Sequence, residues 1–167
     1  MKKVQDHYFR QAKREGFAAR SAFKLEEIDK RQRLLRSGMH VLDLGCAPGS
    51  WLQYAAKRVG VNGRVLGIDL QPVTVALPEH ALALQGDAFE TPPASLLEAG
   101  RRFDAVISDM APKTTGIPSA DAARSAELVL RALALAQAVL QPGGFLLAKV
   151  FQGNRMQELR AAFAQHF

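Results

Sequence analysis

The chain has 167 residues, of which 48% are hydrophobic, and its formal net charge is +6. This length suits one ordinary domain with a substantial core. No apolar run approaches the roughly 20 residues that cross a bilayer, and the charged N-terminus is unlike an apolar secretory signal. We therefore expect a single cytoplasmic domain without a membrane segment. One cysteine, Cys46, and four scattered histidines predict neither an internal disulfide nor a metal site.

The positive charge is concentrated at the N-terminus. Residues 1–36 contain 11 Lys and Arg against 5 Asp and Glu, whereas residues 37–167 contain 11 of each kind. A basic segment on a neutral domain favours a polyanionic partner such as nucleic acid, because phosphate contacts release counterions. A solvated face of an amphipathic helix would have the same composition. The candidate phosphate-binding residues are Lys2, Lys3, Arg10, Lys13, Arg14, Arg20, Arg31, Arg33 and Arg36.

Helical patterns and short apolar runs alternate along the chain. In chain order the sequence predicts helices at about 6–15 and 20–33, a strand at 39–45, a helix at 50–60, strands at 64–70 and 81–87, a helix at 93–100, a strand at 103–109, a helix at 119–140, a strand at 144–151 and a helix at 154–166. The strands are almost continuously apolar, as is typical of strands covered on both faces. This pattern predicts an α/β fold with a doubly wound, mainly parallel sheet.

Charged residues mark the ends of the predicted strands. Four strands end in or beside an acid, namely Asp43, Asp69, Asp87 and Asp109, and the fifth carries Lys149 near its end. In open α/β sheets the ligand lies beyond the carboxyl ends of the strands. Each polar residue alone could simply cap or solvate a strand end. Together the five predict a ligand site at this edge.

The first predicted strand leads into a glycine loop in "HVLDLGCAPGSW". Gly45 and Gly49 allow a tight turn and a close approach to a ligand. Their spacing is GxxxG where a dinucleotide site has GxGxxG, and Pro48 lacks an N–H that a pyrophosphate would need. Asp43 adds negative charge beside the loop. The loop therefore favours an adenosine ligand that carries a cationic amino group.

Other residues near the strand ends fit the same ligand. Asp69 can accept hydrogen bonds from both ribose hydroxyls, and Asp87 can accept one from an adenine amino group. Trp51 packs either against the ligand or in the core, and Cys46 is interpreted as a small loop filler. A nicotinamide-dependent oxidoreductase is the rival on the same sheet. It would need a GxGxxG turn and a proton donor such as a Tyr-Lys pair, and the sequence shows neither.

The pattern resembles the S-adenosyl-L-methionine site of class I SAM-dependent methyltransferases, which have a Rossmann-like sheet. More narrowly, "SAFKLEEI", "DLGCAPGSW", "SDMAPKTTG" and "LLAKVFQG" are similar, in that order, to motifs of the FtsJ/RrmJ family of RNA 2′-O-methyltransferases. The resemblance runs from "DHYFRQAKREGFAARSAFKL" onward. It implies a monomeric enzyme that methylates a uridine ribose in 23S ribosomal RNA of the large ribosomal subunit. A different RNA such as tRNA, or a non-catalytic RNA-binding module, remains the alternative.

The resemblance also implies residue roles. The family has a Lys-Asp-Lys-Glu tetrad, and Lys24, Asp109 and Lys149 match its first three members. The family's positions for binding the methyl donor match Gly49, Trp51, Asp69, Asp87 and Asp109. Asp43 and Gly45, at the glycine loop, are added as further candidates for donor binding. The family's glutamate lies in final strands that would follow Phe167, so the sheet is expected to lack their antiparallel hairpin. Residues 1–36 would be the RNA-binding extension and residues 37–167 the donor-binding core.

The two matched lysines are expected to act together. A free lysine has a pKa of about 10.4 and is protonated at neutral pH, so it cannot accept a proton. A second cation nearby and burial in the strand "LLAKVF" would both disfavour the charged form. Lys149 is therefore predicted to be the general base. Lys24 would be its electrostatic partner and would bind ribose or phosphate, and Asp109 would orient Lys149 and the methyl group.

Overall fold

A five-stranded sheet forms the centre of the computed structural model, which describes residues 17–167. Its strands are β1 (His40–Leu44), β2 (Arg64–Asp69), β3 (Ala81–Gln85), β4 (Phe103–Ser108) and β5 (Leu140–Ala148). They lie in the order β3-β2-β1-β4-β5, and all four pairings are parallel. The predicted doubly wound α/β sheet is confirmed, and within the described residues no antiparallel strand joins it.

Four α-helices accompany the sheet: α1 (Ala22–Gln32), α2 (Ser50–Val59), α3 (Pro118–Val139) and α4 (Met156–Ala164). Each agrees with a predicted helix to within two residues at either end. The helix predicted at 6–15 lies outside the described residues. None of the helices in the described part of the chain is long and apolar enough to cross a membrane.

One predicted helix is wrong. Residues 93–100 form two short 3₁₀ turns, Pro93–Leu96 and Glu98–Gly100, separated by the extended residue Leu97. Pro92 and Pro93 would be tolerated at the start of a helix, but Leu97 has a ψ of 110° and Ala99 adopts a left-handed φ of 50°. A continuous helix cannot form under these conditions.

Two predicted strands have different bounds in the structure. The strand predicted at 81–87 ends at Gln85, so Asp87 lies two residues beyond β3. The strand predicted at 144–151 begins earlier, at Leu140, and ends at Ala148. Its pairing with β4 is irregular, and Gly143 there has a left-handed φ of 79°. This bulge lets the chain turn within the strand, in a stretch that the sequence leaves between a predicted helix and a predicted strand.

The strands bury apolar side chains on both faces. On one face Val41 and Ile107 pack with Leu52 of α2 and Leu25 of α1. On the other face Leu42 and Val106 pack with residues of α3. Because side chains alternate along a strand, Asp43 shares the face of Val41, towards α2.

A buried carboxylate joins α1 to α2. Asp29 is fully buried and accepts hydrogen bonds from Leu35 N (2.7 Å), Tyr54 Oη (2.8 Å) and Arg58 Nε (2.7 Å). At the other end of α1, Ser21 Oγ lies 2.6 Å from Ser50 Oγ. The two helices therefore run side by side in the same direction, with the start of α1 beside the start of α2.

Candidate active site

A cavity of about 450 Å³ opens at the carboxyl ends of the strands. Three acids line it, Asp69, Asp87 and Asp109, together with the apolar residues Ile68 and Phe89. Strand order reverses between β1 and β4, and Asp109 directly follows β4. This is the position at which open α/β sheets bind ligands. The structure thus brings together three of the acids that the sequence singles out.

The glycine loop forms one wall of the cavity. Gly45 and Ala47 line it, and both Gly45 (φ 75°) and Gly49 (φ 112°) adopt left-handed conformations. A side chain at Gly45 would collide with Met110, and a Cβ at Gly49 would lie 2.7 Å from Val75 Cγ2. Any other residue would therefore be both strained and crowded at these two positions.

The loop is held by Asp69. Its Oδ2 accepts a hydrogen bond from Ala47 N (3.0 Å), and its Oδ1 accepts one from Gln71 N (2.8 Å). Asp87 similarly accepts a hydrogen bond from Phe89 N through Oδ1 (2.8 Å). A carboxylate oxygen can accept more than one hydrogen bond. Both acids therefore fix the local backbone and retain capacity to bind hydroxyl or amino groups of a ligand.

Asp43 is a buried acid without a hydrogen-bond partner among the described residues. Neither of its carboxyl oxygens is bonded, and the side chain is completely buried. Burial raises the pKa of this carboxyl well above its usual range, and the negative charges of Asp109 and Asp69 raise it further. Folding therefore favours the uncharged form of Asp43 relative to the unfolded chain.

We expect Asp43→Asn to change the pH dependence of stability. An acid with a raised pKa in the folded state lowers stability as pH rises above about 3.9, by up to about 1.4 kcal/mol per pH unit. The Asn variant lacks this titration, so its free energy of unfolding should fall less between pH 4.5 and pH 8. Urea unfolding across this range measures the difference. Parallel pH profiles of the two proteins would mean that Asp43 is ionised in the folded state.

An ion pair lies at the carboxyl ends of β4 and β5. Lys149 Nζ is 2.5 Å from Asp109 Oδ1 and 2.6 Å from the Asp109 carbonyl oxygen. The backbone supports the pairing, because Lys149 N donates to Ser108 O at 2.9 Å. The strand predicted to bury Lys149 ends one residue earlier, at Ala148, and the Lys149 side chain is partly buried, with 25% of its surface exposed. The amine is therefore within reach of an incoming substrate.

Lys24 lies on the first turn of α1 and is exposed. Ser21, just before this helix, contacts Ser50 at the start of α2, which directly follows the glycine loop. Lys24 is thus on the helix end nearest the cavity. Within residues 17–167 no ion pair or hydrogen bond joins it to Asp109 or Lys149, so the structure forms the Asp109–Lys149 pair without it.

The structure does not place Trp51 at the cavity. Its side chain is 4% exposed, belongs to the core cluster that contains Leu25 and Leu52, and donates a hydrogen bond from Nε1 to Ser21 O at 2.9 Å. The indole therefore packs in the core and joins α1 to α2, and a contact of Trp51 with the donor stays a prediction. Cys46 is also buried, and burial raises the pKa of its thiol to about 12, which makes it an unreactive filler.

Sequence patterns did not single out Phe89 and Arg131 of the cavity wall, or Asp121, which holds a loop that starts at the cavity. Phe89 and Arg131 both line it, and the Arg131 guanidinium lies 4.3 Å from the Phe89 ring centre. Asp121, in the first turn of α3, accepts hydrogen bonds from the loop that follows β4. An aspartate in a first helical turn after "TTGIP" signals such a cap, but the contact of Arg131 with Phe89 leaves no comparable pattern. No cluster of metal-ligating side chains occurs in residues 17–167.

Known proteins that are similar in sequence identify the family of this chain. The model for FtsJ-like methyltransferases matches residues 17–167. A ribosomal RNA large subunit methyltransferase E from Desulfatibacillum aliphaticivorans is 51% identical over 166 residues, which cover 97% of this chain and 80% of that relative. A protein of the same name from Sorangium cellulosum is 49% identical over 160 residues, covering 96% of this chain and 75% of that relative.

Solved structures have the same fold. A protein from Plasmodium falciparum described as a ribosomal RNA methyltransferase superposes with a TM-score of 0.80 at 24% identity, covering 90% of this chain and 87% of that one. Aeropyrum pernix fibrillarin, solved with natively bound S-adenosyl-L-methionine, gives a TM-score of 0.52 at 21% identity, covering 69% and 46%. The sequence match over residues 17–167, with the fold and the strand-end residues above, shows that the chain belongs to the FtsJ-like methyltransferase family.

Proposed function

We propose that this chain transfers a methyl group from S-adenosyl-L-methionine to the ribose 2′-hydroxyl of a uridine in large-subunit ribosomal RNA, in the cytoplasm. The observation that carries the proposal is the ion pair of Asp109 with Lys149, because Asp109 also lines the acidic cavity. An amine beside a cavity for a methyl donor can act on a hydroxyl group. The names of the relatives support ribosomal RNA as the acceptor.

The cavity residues fit this donor. S-adenosyl-L-methionine supplies an electrophilic methyl group on a positively charged sulfur atom. Three acids, Asp69, Asp87 and Asp109, outnumber the one cation of the lining, Arg131, so the cavity is net negative and favours a cation. We assign the ribose hydroxyls to Asp69 and the adenine amino group to Asp87. Gly45 lines the wall and Gly49 belongs to the same loop, and we assign the unpartnered carboxyl of Asp43, two residues before Gly45, as a further hydrogen-bond acceptor for the amino group of the donor.

Lys149 is the proposed general base. Its nitrogen donates to two oxygens of Asp109, which leaves one position for the acceptor hydroxyl. In the neutral amine that position would be a lone pair that can accept the proton of a bound hydroxyl group. Asp109 fixes the direction of the amine, and such alignment supplies much of the rate enhancement in a transfer between two bound groups. Lys24 would bind the acceptor ribose or its phosphate.

Calorimetric titration and a transfer assay test the proposal together. We expect the chain to bind S-adenosyl-L-methionine and not NAD, and to transfer labelled methyl to large ribosomal subunits from cells that lack this activity. Binding of NAD alone would favour the oxidoreductase interpretation. Donor binding without transfer to any RNA would favour a non-catalytic RNA-binding module. Transfer to tRNA instead of ribosomal subunits would keep the chemistry and change the acceptor.

The basic residues of the predicted RNA-binding extension differ in position. Lys2, Lys3, Arg10, Lys13 and Arg14 lie outside the described residues, whereas Arg20, Arg31, Arg33 and Arg36 are exposed. Arg20 directly precedes Ser21 at the cavity end of α1. Arg36 follows Leu35, whose carbonyl contacts Arg58 near the end of α2, away from the cavity. We therefore assign RNA contact to Arg20 in preference to Arg36.

We expect Arg20→Gln to weaken RNA binding and to reduce the slope of log affinity against log salt by about 0.7–0.9, the value for one phosphate contact. Arg36→Gln is the matched control, because it removes the same charge at the other end of α1 and should leave the slope unchanged. Fluorescence anisotropy with labelled RNA at several salt concentrations measures both. Equal slopes for the two variants would contradict the assignment.

A further inference from the structure

The first turns of α3 contact both of the loops that follow β4 and β5. The segment of residues 110–117 is called here the β4–α3 loop. It starts at the cavity, where Met110 and Ala111 line the wall, and its residues 113–117 are all exposed. The loop carries the cation Lys113 and the apolar residue Ile117, which is 59% exposed. The loop that leaves the cavity therefore presents a charge for a phosphate and an apolar surface for a base.

Asp121 holds the far end of this loop. The side chain is buried, and its Oδ1 accepts hydrogen bonds from Thr115 N and Thr115 Oγ1, both at 2.8 Å, while Oδ2 accepts one from Gly116 N at 3.3 Å. The hydrogen bond from the Thr115 backbone, with those from its hydroxyl and from Gly116, holds the pKa of this carboxyl below its usual range. Asp121 is therefore ionised and fixes the loop at neutral pH.

Ser125, one helical turn later, holds the segment that follows β5. Its Oγ accepts a hydrogen bond from Phe151 N at 3.0 Å, and the Ser125 side chain is buried. The same segment packs tightly on α3, because a Cβ at Gly153 would lie only 2.6 Å from Ala122 Cβ. Phe151 is two residues beyond Lys149. The hydroxyl of Ser125 therefore limits where the backbone of Lys149 can lie.

We propose that Asp121 and Ser125 are positioning residues with separate roles, Asp121 fixing the β4–α3 loop that receives the RNA and Ser125 fixing the segment that carries Lys149. This inference rests on the proposed function, because it assigns a surface and two residues to the same reaction. One helix thereby sets the distance between the docked nucleotide and the amine. Loss of Asp121 should impair RNA docking, and loss of Ser125 should impair the chemical step.

Steady-state kinetics with large ribosomal subunits as substrate tests the separation. We expect Asp121→Ala to raise KM for the subunits about tenfold with little change in kcat, and Ser125→Ala to lower kcat about tenfold with little change in KM. Asp121→Asn keeps one acceptor oxygen and should have an intermediate KM. Ser119→Ala, at an exposed position on the same helix, is the matched control and should leave both constants unchanged. Donor affinity measured by calorimetry should be unchanged in all four.

Two results would overturn the inference: the Asp121 and Ser125 variants changing kcat and KM in the same way, or both variants keeping wild-type kinetics. If the wild-type chain transfers no methyl group, the proposed function fails, and hydrogen exchange still decides the positioning claim. In that case Asp121→Ala should accelerate exchange at the amides of Thr115 and Gly116, and Ser125→Ala should accelerate it at the amide of Phe151. Unchanged hydrogen exchange at these amides would reject the positioning claim. If Asp121→Ala does not fold, the exchange of Asp121→Asn is measured instead.

Discussion

Lys149→Met should reduce methyl transfer by at least about a hundredfold, the lower end of what a positioned base contributes. Methionine has nearly the same length but can neither accept the hydroxyl proton nor pair with Asp109. Lys149 is not among the residues that line the donor cavity, so the affinity for S-adenosyl-L-methionine should change little. Single-turnover transfer of labelled methyl gives the rate, and calorimetry gives the donor affinity. An equal loss of donor affinity would mean that Lys149 maintains the cavity.

Two further substitutions test whether Lys149 acts as a base and whether the loss of any other lysine has the same effect. Lys149→Arg keeps a positive charge beside Asp109 but cannot act as a base, because the guanidinium is not deprotonated in proteins. It should be nearly as inactive as Lys149→Met if proton removal matters, and substantially active if the residue only stabilises negative charge. Lys57→Met removes an exposed lysine from α2 and should retain full activity.

Asp29→Ala should cost about 3 kcal/mol of unfolding free energy, the low end of the roughly 3–5 kcal/mol for removing one partner of a buried ion pair, because Arg58 is partly exposed. The groups that donate hydrogen bonds to Asp29 are Leu35 N, Tyr54 Oη and Arg58 Nε. The expected fall in melting temperature is roughly 6–12 °C. Glu27→Gln, which neutralises an exposed carboxylate on the same helix, should change stability by less than about 0.5 kcal/mol. Equal effects would show that the network does not hold α1 in place.

The same carboxylate gives stability a defined pH dependence. Burial alone would raise the pKa of Asp29, but the hydrogen bonds from Leu35, Tyr54 and Arg58 outweigh it, so the pKa is lowered. An acid with a lowered folded pKa contributes stability fully above its unfolded value of about 3.9 and loses it as pH falls through the folded value. The difference in stability between wild type and Asp29→Ala should therefore be constant at neutral pH and shrink in acid.

The strand-end residues could be predicted from the sequence because parallel strands place their carboxyl ends at one edge. Asp69, Asp87 and Asp109 all line one cavity, and Lys149 reaches Asp109 from the neighbouring strand. Predicting this arrangement requires only the order of the apolar runs along the chain and the rule that the ligand lies beyond the strand ends. The family resemblance adds the roles proposed for these residues and for Lys24.

Other features depend on contacts between distant segments and could not be inferred from local patterns. The partial exposure of Lys149 depends on where β5 ends, and its last paired residue is Ala148, opposite Ser108 of β4. Trp51 lies in the core because α1 packs over it and supplies the carbonyl of Ser21. The burial of Asp29 likewise depends on α2, since a charged residue in "LEEIDKRQ" looks like part of a solvated face until Tyr54 and Arg58 are brought against it.

Nucleoside analysis of ribosomal RNA after the reaction tests the central proposal most directly. Large ribosomal subunits that lack this modification are incubated with the chain and labelled S-adenosyl-L-methionine, and the RNA is then digested to nucleosides for mass spectrometry. If the amine of Lys149 acts on a ribose hydroxyl beside the acidic cavity, the label should appear in 2′-O-methyluridine. Label in a base-methylated nucleoside would contradict this account.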